Sequence, residues 1–140
     1  MWQLVSTDGY ARRLNQFVKK NPRELLAMLS NLDTYVQTLQ AGVRPMQIRH
    51  GFMHTETQGA IAIDQKGCSG KPTQTRLYVY PDADTETLYL ITIGTKKSQR
   101  DDNASCREFI VGLREQKQNS HGENEQHATP GEQTDAQDQN

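Results

Sequence analysis

The sequence has few of the residues that build disulfide-rich or membrane-spanning proteins. Its 140 residues include two cysteines, Cys68 and Cys106, which are too few for a disulfide scaffold and form no CxxC metal motif. No stretch approaches the ~20 consecutive apolar residues of a membrane span. The N-terminus also lacks the basic start and apolar run of a signal peptide. We therefore expect a cytoplasmic protein with reduced thiols, no cofactor, no bound metal and no membrane partner.

Large apolar residues are also absent from the C-terminal part of the chain, where none follows Leu113. Such a segment cannot bury enough surface to offset the entropy of ordering. The sequence thus predicts one domain at residues 1–114 and a disordered acidic tail at residues 115–140. The domain has 15 Lys and Arg against 11 Asp and Glu, and the tail has 1 against 6. A mildly basic domain permits nucleic-acid binding without requiring it.

Two helices are predicted to follow a short first strand. The first begins after Thr7 or Asp8, either of which suits an N-cap. The second begins at Pro22, which suits the first helical position, and Glu24 is placed to close a capping box. Gly42 ends this helix. Leucines at helical spacing give the second helix an apolar stripe that is best used to cover a sheet, although it also suits a dimer interface.

The remaining pattern predicts more strands and a final helix. Strands are predicted at residues 2–6, 59–64, 76–80 and 87–93, and the final helix at residues 101–114. Pro45 and Gly51 predict an irregular segment at residues 43–57. The resulting order, β-α-α-β-β-β-α, is typical of an α+β domain. We expect a small antiparallel-rich sheet with a helical hairpin on one face, a C-terminal helix, and an open second face.

Candidate functional residues lie on the strand RLYVY and around it. Because alternate strand residues share a face, Leu77 and Val79 are predicted to enter the core while Arg76 and Tyr78 lie on the open face. Lys96 follows the next strand and is predicted to reach the same side. A positive patch beside an aromatic ring suits a phosphate-bearing ligand. The same residues also suit an ordinary solvated face and loop.

The order of elements and four sequence pieces together resemble the RelE/ParE superfamily of bacterial toxins, including its HigB-like and phage-derived members. The pieces are WQLV in the first strand, NPRELL in the hairpin, RLYVY, and LITIGTKKSQ before the final helix. The resemblance covers residue 1 to about residue 113. It implies a compact toxin domain of a type II toxin-antitoxin system, with a basic sheet face and a cognate antitoxin as partner.

Nuclease members of this family cleave messenger RNA, usually on the ribosome and without a metal, by attack of the ribose 2′-hydroxyl on the adjacent phosphate. By resemblance, Arg76 corresponds to the strand arginine that contacts the scissile phosphate, and Lys96 to the basic residue after the last strand's glycine. Such residues stabilise the charge of a pentacovalent phosphate. His54 and Glu56, two residues apart, share a face of an extended chain, and either suits a general base.

Four further residues are predicted to bind RNA around these catalytic candidates. They are Lys97, Tyr78, Lys66 and Lys71. The ring of Tyr78 is expected to stack on a base, and the lysines to contact phosphates.

Two alternative functions are compatible with the same residues. ParE-like members of the family bind a protein target such as gyrase and cleave no RNA. An inactive binding or regulatory domain on the same fold is the other alternative.

Overall fold

A computed structural model describes residues 1–128, in a unit spanning Met1–Glu108 and a second unit that begins at Phe109. The strands are β1 Gln3–Ser6, β2 Met53–Thr55, β3 Ile61–Asp64, β4 Thr75–Asp82 and β5 Thr87–Thr95. The helices are α1 Asp8–Lys20, α2 Pro22–Gln40 and α3 Gln99–Ala128, with short 3-10 turns at Pro45–Gln47, Thr57–Gly59 and Lys96–Ser98. The predicted α+β class, with a C-terminal helix, is confirmed.

The five strands form one mixed sheet in the order β1-β5-β4-β3-β2. β1 runs parallel to β5, and the other neighbours are antiparallel. The prediction of an irregular segment at residues 43–57 is wrong in part, because β2 lies within it and pairs Met53 with Ile63. Three residues carry too little intrinsic preference to indicate a strand, and pairing with β3 decides their conformation.

The first face of the sheet carries the hydrophobic core, and α1 and α2 pack against it. Leu77 and Val79 are buried in this core, as the alternation in β4 predicts. The helices contribute buried residues at helical spacing, namely Tyr10, Phe17, Leu25, Met28, Leu32, Tyr35 and Leu39. The predicted helical hairpin on one face of the sheet is therefore present, and its leucine stripe serves the core.

Side chains at the helix starts connect the hairpin to the rest of the domain. The hydroxyl of Thr7 accepts a hydrogen bond from the N–H of Tyr10 and donates one to the carbonyl of Ile91. Ile91 lies at a bulge in the β4–β5 pairing, so Thr7 satisfies a carbonyl that the ladder leaves free. The predicted capping box at α2 does not form. Buried Glu24 instead accepts a hydrogen bond from the N–H of Thr73.

Two of the predicted strands extend further than expected. β4 continues through Pro81, which pairs with Leu88 of β5. On its other side β3 begins opposite Val79, so Pro81 has a strand on one side only, the position at which sheets tolerate proline. β5 likewise continues through Gly94 to Thr95.

The last helix begins two residues earlier than predicted and continues to Ala128. Residues 115–128 of the predicted tail are therefore helical in the structure, while residues 129–140 of that tail lie outside the described residues. The boundary between domain and tail at residue 115 stays a prediction. None of the helices in the described part of the chain combines the length and apolar character needed to cross a membrane.

Candidate active site

The register of β2, β3 and β4 brings polar residues together on the second face of the sheet, opposite the core. Directly paired residues on neighbouring strands point to the same face. Asp64 pairs with Arg76, Ala62 pairs with Tyr78, and His54 pairs with Ala62. His54, Asp64 and Arg76 consequently share one surface.

Arg76 forms an ion pair with Glu56 on this surface. The guanidinium Nη1 of Arg76 lies 2.5 Å from Oε2 of Glu56. The side chain of Arg76 is half-buried, and that of Glu56 is mostly buried. Both residues are candidates from the sequence, and the structure brings them into direct contact. The guanidinium group has five N–H donors in a fixed fork, so Arg76 can hold Glu56 and contact a phosphate with its other donors.

His54 pairs with Asp64, a residue that the sequence did not single out. Nε2 of His54 lies 2.8 Å from Oδ2 of Asp64, and Oδ1 of Asp64 accepts the N–H of Lys66 at 2.8 Å. A carboxylate on one ring nitrogen fixes the tautomer and orientation of the imidazole and leaves the other nitrogen to exchange protons. We call His54, Glu56, Asp64 and Arg76 the acid–base cluster.

Tyr78 does not lie on an open surface, so the prediction of an exposed ring is wrong. Its side chain is fully buried, and its hydroxyl has no hydrogen-bond partner among the described residues. Burial raises the pKa of the phenol, and the negative charges of Asp102 and Glu56 raise it further. Asp102 and Cys106, in the first turns of α3, are buried as well. A base cannot stack on Tyr78 in this arrangement.

Asp102 is the buried end of a small polar network at the start of α3. Its Oδ2 accepts a hydrogen bond from the Ser98 hydroxyl at 2.7 Å, and its Oδ1 lies 3.4 Å from Nη1 of Arg13. Arg13 also donates to the carbonyl of Ile93 at 2.7 Å. Burial raises the pKa of the Asp102 carboxyl, and the Ser98 hydrogen bond and the Arg13 charge oppose that rise.

This network predicts that Asp102→Asn gains stability relative to the native protein as the pH rises. A carboxyl whose pKa is raised by folding binds its proton more tightly in the folded state, so the native protein loses stability between the unfolded pKa, about 4, and neutral pH. The amide of the variant cannot ionise and avoids that loss. Urea unfolding at pH 4 and pH 7 measures the difference. A variant that instead loses stability relative to the native protein between these pH values would show that the Arg13 ion pair outweighs burial.

Lys96 and Lys97 lie at the end of the β4–β5 ladder, just beyond the pairing of Arg76 with Gly94. They are exposed, and with Thr73, Gln74 and Thr95 they line a cavity of about 460 Å³ where β4 begins and β5 ends. The N–H of Lys96 donates to the carbonyl of Gln74 at 3.2 Å. Within the described residues, neither lysine makes an ion pair. The predicted positive rim therefore exists as a cavity lined by two exposed lysines.

The two remaining lysine candidates lie in the loop between β3 and β4. Lys66 is exposed and is tied to the cluster through its backbone N–H, which donates to Asp64. Lys71 is exposed, and no hydrogen bond or ion pair in the described part of the chain joins it to the cluster. Nowhere in residues 1–128 do three His, Cys, Asp or Glu side chains group so as to hold a metal ion.

No protein-family model, no curated protein and no solved structure matches the chain.

Proposed function

We propose that this protein is an endoribonuclease that cleaves RNA without a metal ion, using the acid–base cluster. One observation carries the proposal: His54, Asp64 and Arg76 share one face of neighbouring strands, where His54 contacts Asp64 and Arg76 contacts Glu56, the residue directly after β2. They supply a carboxylate, an imidazole and a guanidinium, the groups that general acid–base attack on a phosphodiester requires.

In the proposed reaction the ribose 2′-oxygen attacks the adjacent phosphorus and the bond from phosphorus to the 5′-oxygen breaks. Glu56 takes the proton from the 2′-hydroxyl, and the protonated imidazole of His54 gives a proton to the departing 5′-oxygen. The products are a 2′,3′-cyclic phosphate and a free 5′-hydroxyl. Arg76 neutralises the charge that develops on the phosphate oxygens, and Lys96 and Lys97 bind the RNA strand beyond the scissile bond.

We also propose that the protein acts as the toxin of a type II toxin-antitoxin system in the cytoplasm, with messenger RNA as substrate, in some settings on the ribosome, and a cognate antitoxin as inhibitor. The support is the resemblance of the strand, hairpin and loop motifs to the RelE/ParE superfamily, together with the mixed sheet and helical hairpin of the fold.

Induced expression in a bacterial host tests this function. We expect growth arrest together with site-selective cleavage of transcripts, and we expect Glu56→Gln and His54→Ala to abolish both because each removes a proton-transfer group. Circular dichroism of the purified variants checks that they fold. Growth arrest by either variant at the level of the native protein would contradict the assignment of the cluster.

A second candidate function is toxin-like binding of a protein target such as gyrase, with no chemistry on RNA. The observation in its favour is that Arg76 is already paired with Glu56 and that Tyr78 is buried. Growth arrest with intact transcripts and inhibited supercoiling would select this function. Soluble, folded protein that causes no arrest would leave an inactive binding or regulatory domain.

A further inference from the structure

The acid–base cluster is connected to the opposite side of the domain by one side chain of α2. Asn31 lies on α2, which packs on the core face of the sheet. Its side-chain amide Nδ2 donates to the carbonyl of Asp64 and to the carbonyl of Lys66, at 3.0 Å each. These two carbonyls mark the turn at which β3 ends. Asn31 therefore holds the backbone on both sides of Gln65.

The same turn presents the carboxylate that contacts His54. Oδ1 of Asp64 accepts the N–H of Lys66, which closes the turn, and this leaves Oδ2 directed at Nε2 of His54. The orientation of the carboxylate thus depends on the backbone between Asp64 and Lys66. The two hydrogen bonds from Asn31 fix that backbone from the other side.

We propose that Asn31 is a positioning residue for His54, acting through Asp64. With Asp64 in place, Nε2 of His54 keeps its proton toward the carboxylate, and Nδ1 is the nitrogen that exchanges protons with substrate. Of the charged groups in the cluster, Asp64 on β3 contacts His54, while Arg76 on β4 and Glu56 after β2 pair with each other. This inference rests on the proposed nuclease function for its consequence in catalysis.

The comparison of Asn31→Ala with Gln40→Ala tests the proposal. Gln40 is a matched control because it also lies on α2 and also makes two hydrogen bonds to backbone groups, the N–H and carbonyl of Trp2, far along the chain from the cluster. Nitrogen-15 NMR, recorded at a pH at which the imidazole ring is neutral, reports which ring nitrogen carries the proton. We expect native protein and Gln40→Ala to show the Nε2–H tautomer of His54, and Asn31→Ala to show a mixture.

RNA cleavage by the same proteins provides the second readout. We expect Asn31→Ala to lower kcat about tenfold with KM unchanged, the size of effect typical of a residue that orients a functional group without touching substrate. Gln40→Ala should leave kcat unchanged. Asn31→Ser, which keeps one donor on a shorter side chain, serves in place of the alanine variant if that variant does not fold.

The two readouts separate the two proposals. An unchanged His54 tautomer in Asn31→Ala would overturn the positioning role, whatever the activity. If none of these proteins cleaves RNA, the native chain included, the nuclease function is overturned. A shifted His54 tautomer in Asn31→Ala would still uphold the link from Asn31 to His54.

Discussion

Replacing Arg76 by Ala is expected to lower the rate of RNA cleavage by about 10²–10³, the usual cost of removing one preorganised group that stabilises transition-state charge. The ion pair with Glu56 holds the guanidinium in place, while the Arg76 side chain stays partly exposed. Single-turnover cleavage of a short RNA by native and variant protein measures the effect. We expect the loss in kcat, because the charge on the phosphate is greatest in the transition state.

Two further variants show whether the charge of Arg76 or the geometry of its guanidinium group accounts for the expected loss of cleavage rate. Arg76→Lys keeps the charge but loses the planar fork that contacts Glu56 and a phosphate together, so we expect it to recover only part of the lost rate. Arg107→Ala removes an exposed arginine of α3 and should leave the rate unchanged. Equal loss of activity in the Arg76 and Arg107 variants would reduce the role of Arg76 to general positive charge.

The packing of β4 could be predicted from its alternation, but only on the core side. Leu77 and Val79 enter the core as predicted, because a period of two assigns them to one face. The same period assigns Tyr78 to the face of Arg76, and this part is correct. Its burial could not be predicted, because it depends on where the distant start of α3 lies, with Asp102 and Cys106 buried beside the second face.

The acid–base cluster, like the packing of β4, could be predicted from the sequence only in part. Glu56, His54 and Arg76 were candidates from their chemistry and local spacing. Their pairing depends on β2, which the sequence did not indicate, and on the register of β3 with β4. Asp64 enters the cluster through that register alone. The alternation of β3 puts it on the face opposite to Ile61 and Ile63, but no local signal could identify His54 as its partner.

Replacing Gly94 by Ala is expected to destabilise the protein by about 3 kcal/mol or more, because overpacking at a rigid site is among the costliest single changes. A methyl group at Gly94 would overlap the Asp102 carboxylate and the Ser98 hydroxyl. Asp102 is 1% exposed and bonded to Ser98, and Arg13 lies beside it, so it has little freedom to withdraw. Urea unfolding followed by circular dichroism measures the loss.

Gly112 provides the matched control, since it also lies in an element of regular structure but a methyl group there meets no neighbour within 4 Å. Gly112→Ala should raise stability by up to about 1 kcal/mol, the helix preference of alanine over glycine. Adding Asp102→Ala to Gly94→Ala removes one of the two overlapping groups, so the double variant should lose less than the sum of the single losses. Additive losses would mean that the Asp102 carboxylate moves aside freely. The tight contact between β5 and the start of α3 would then not explain why the residue paired with Arg76 is a glycine.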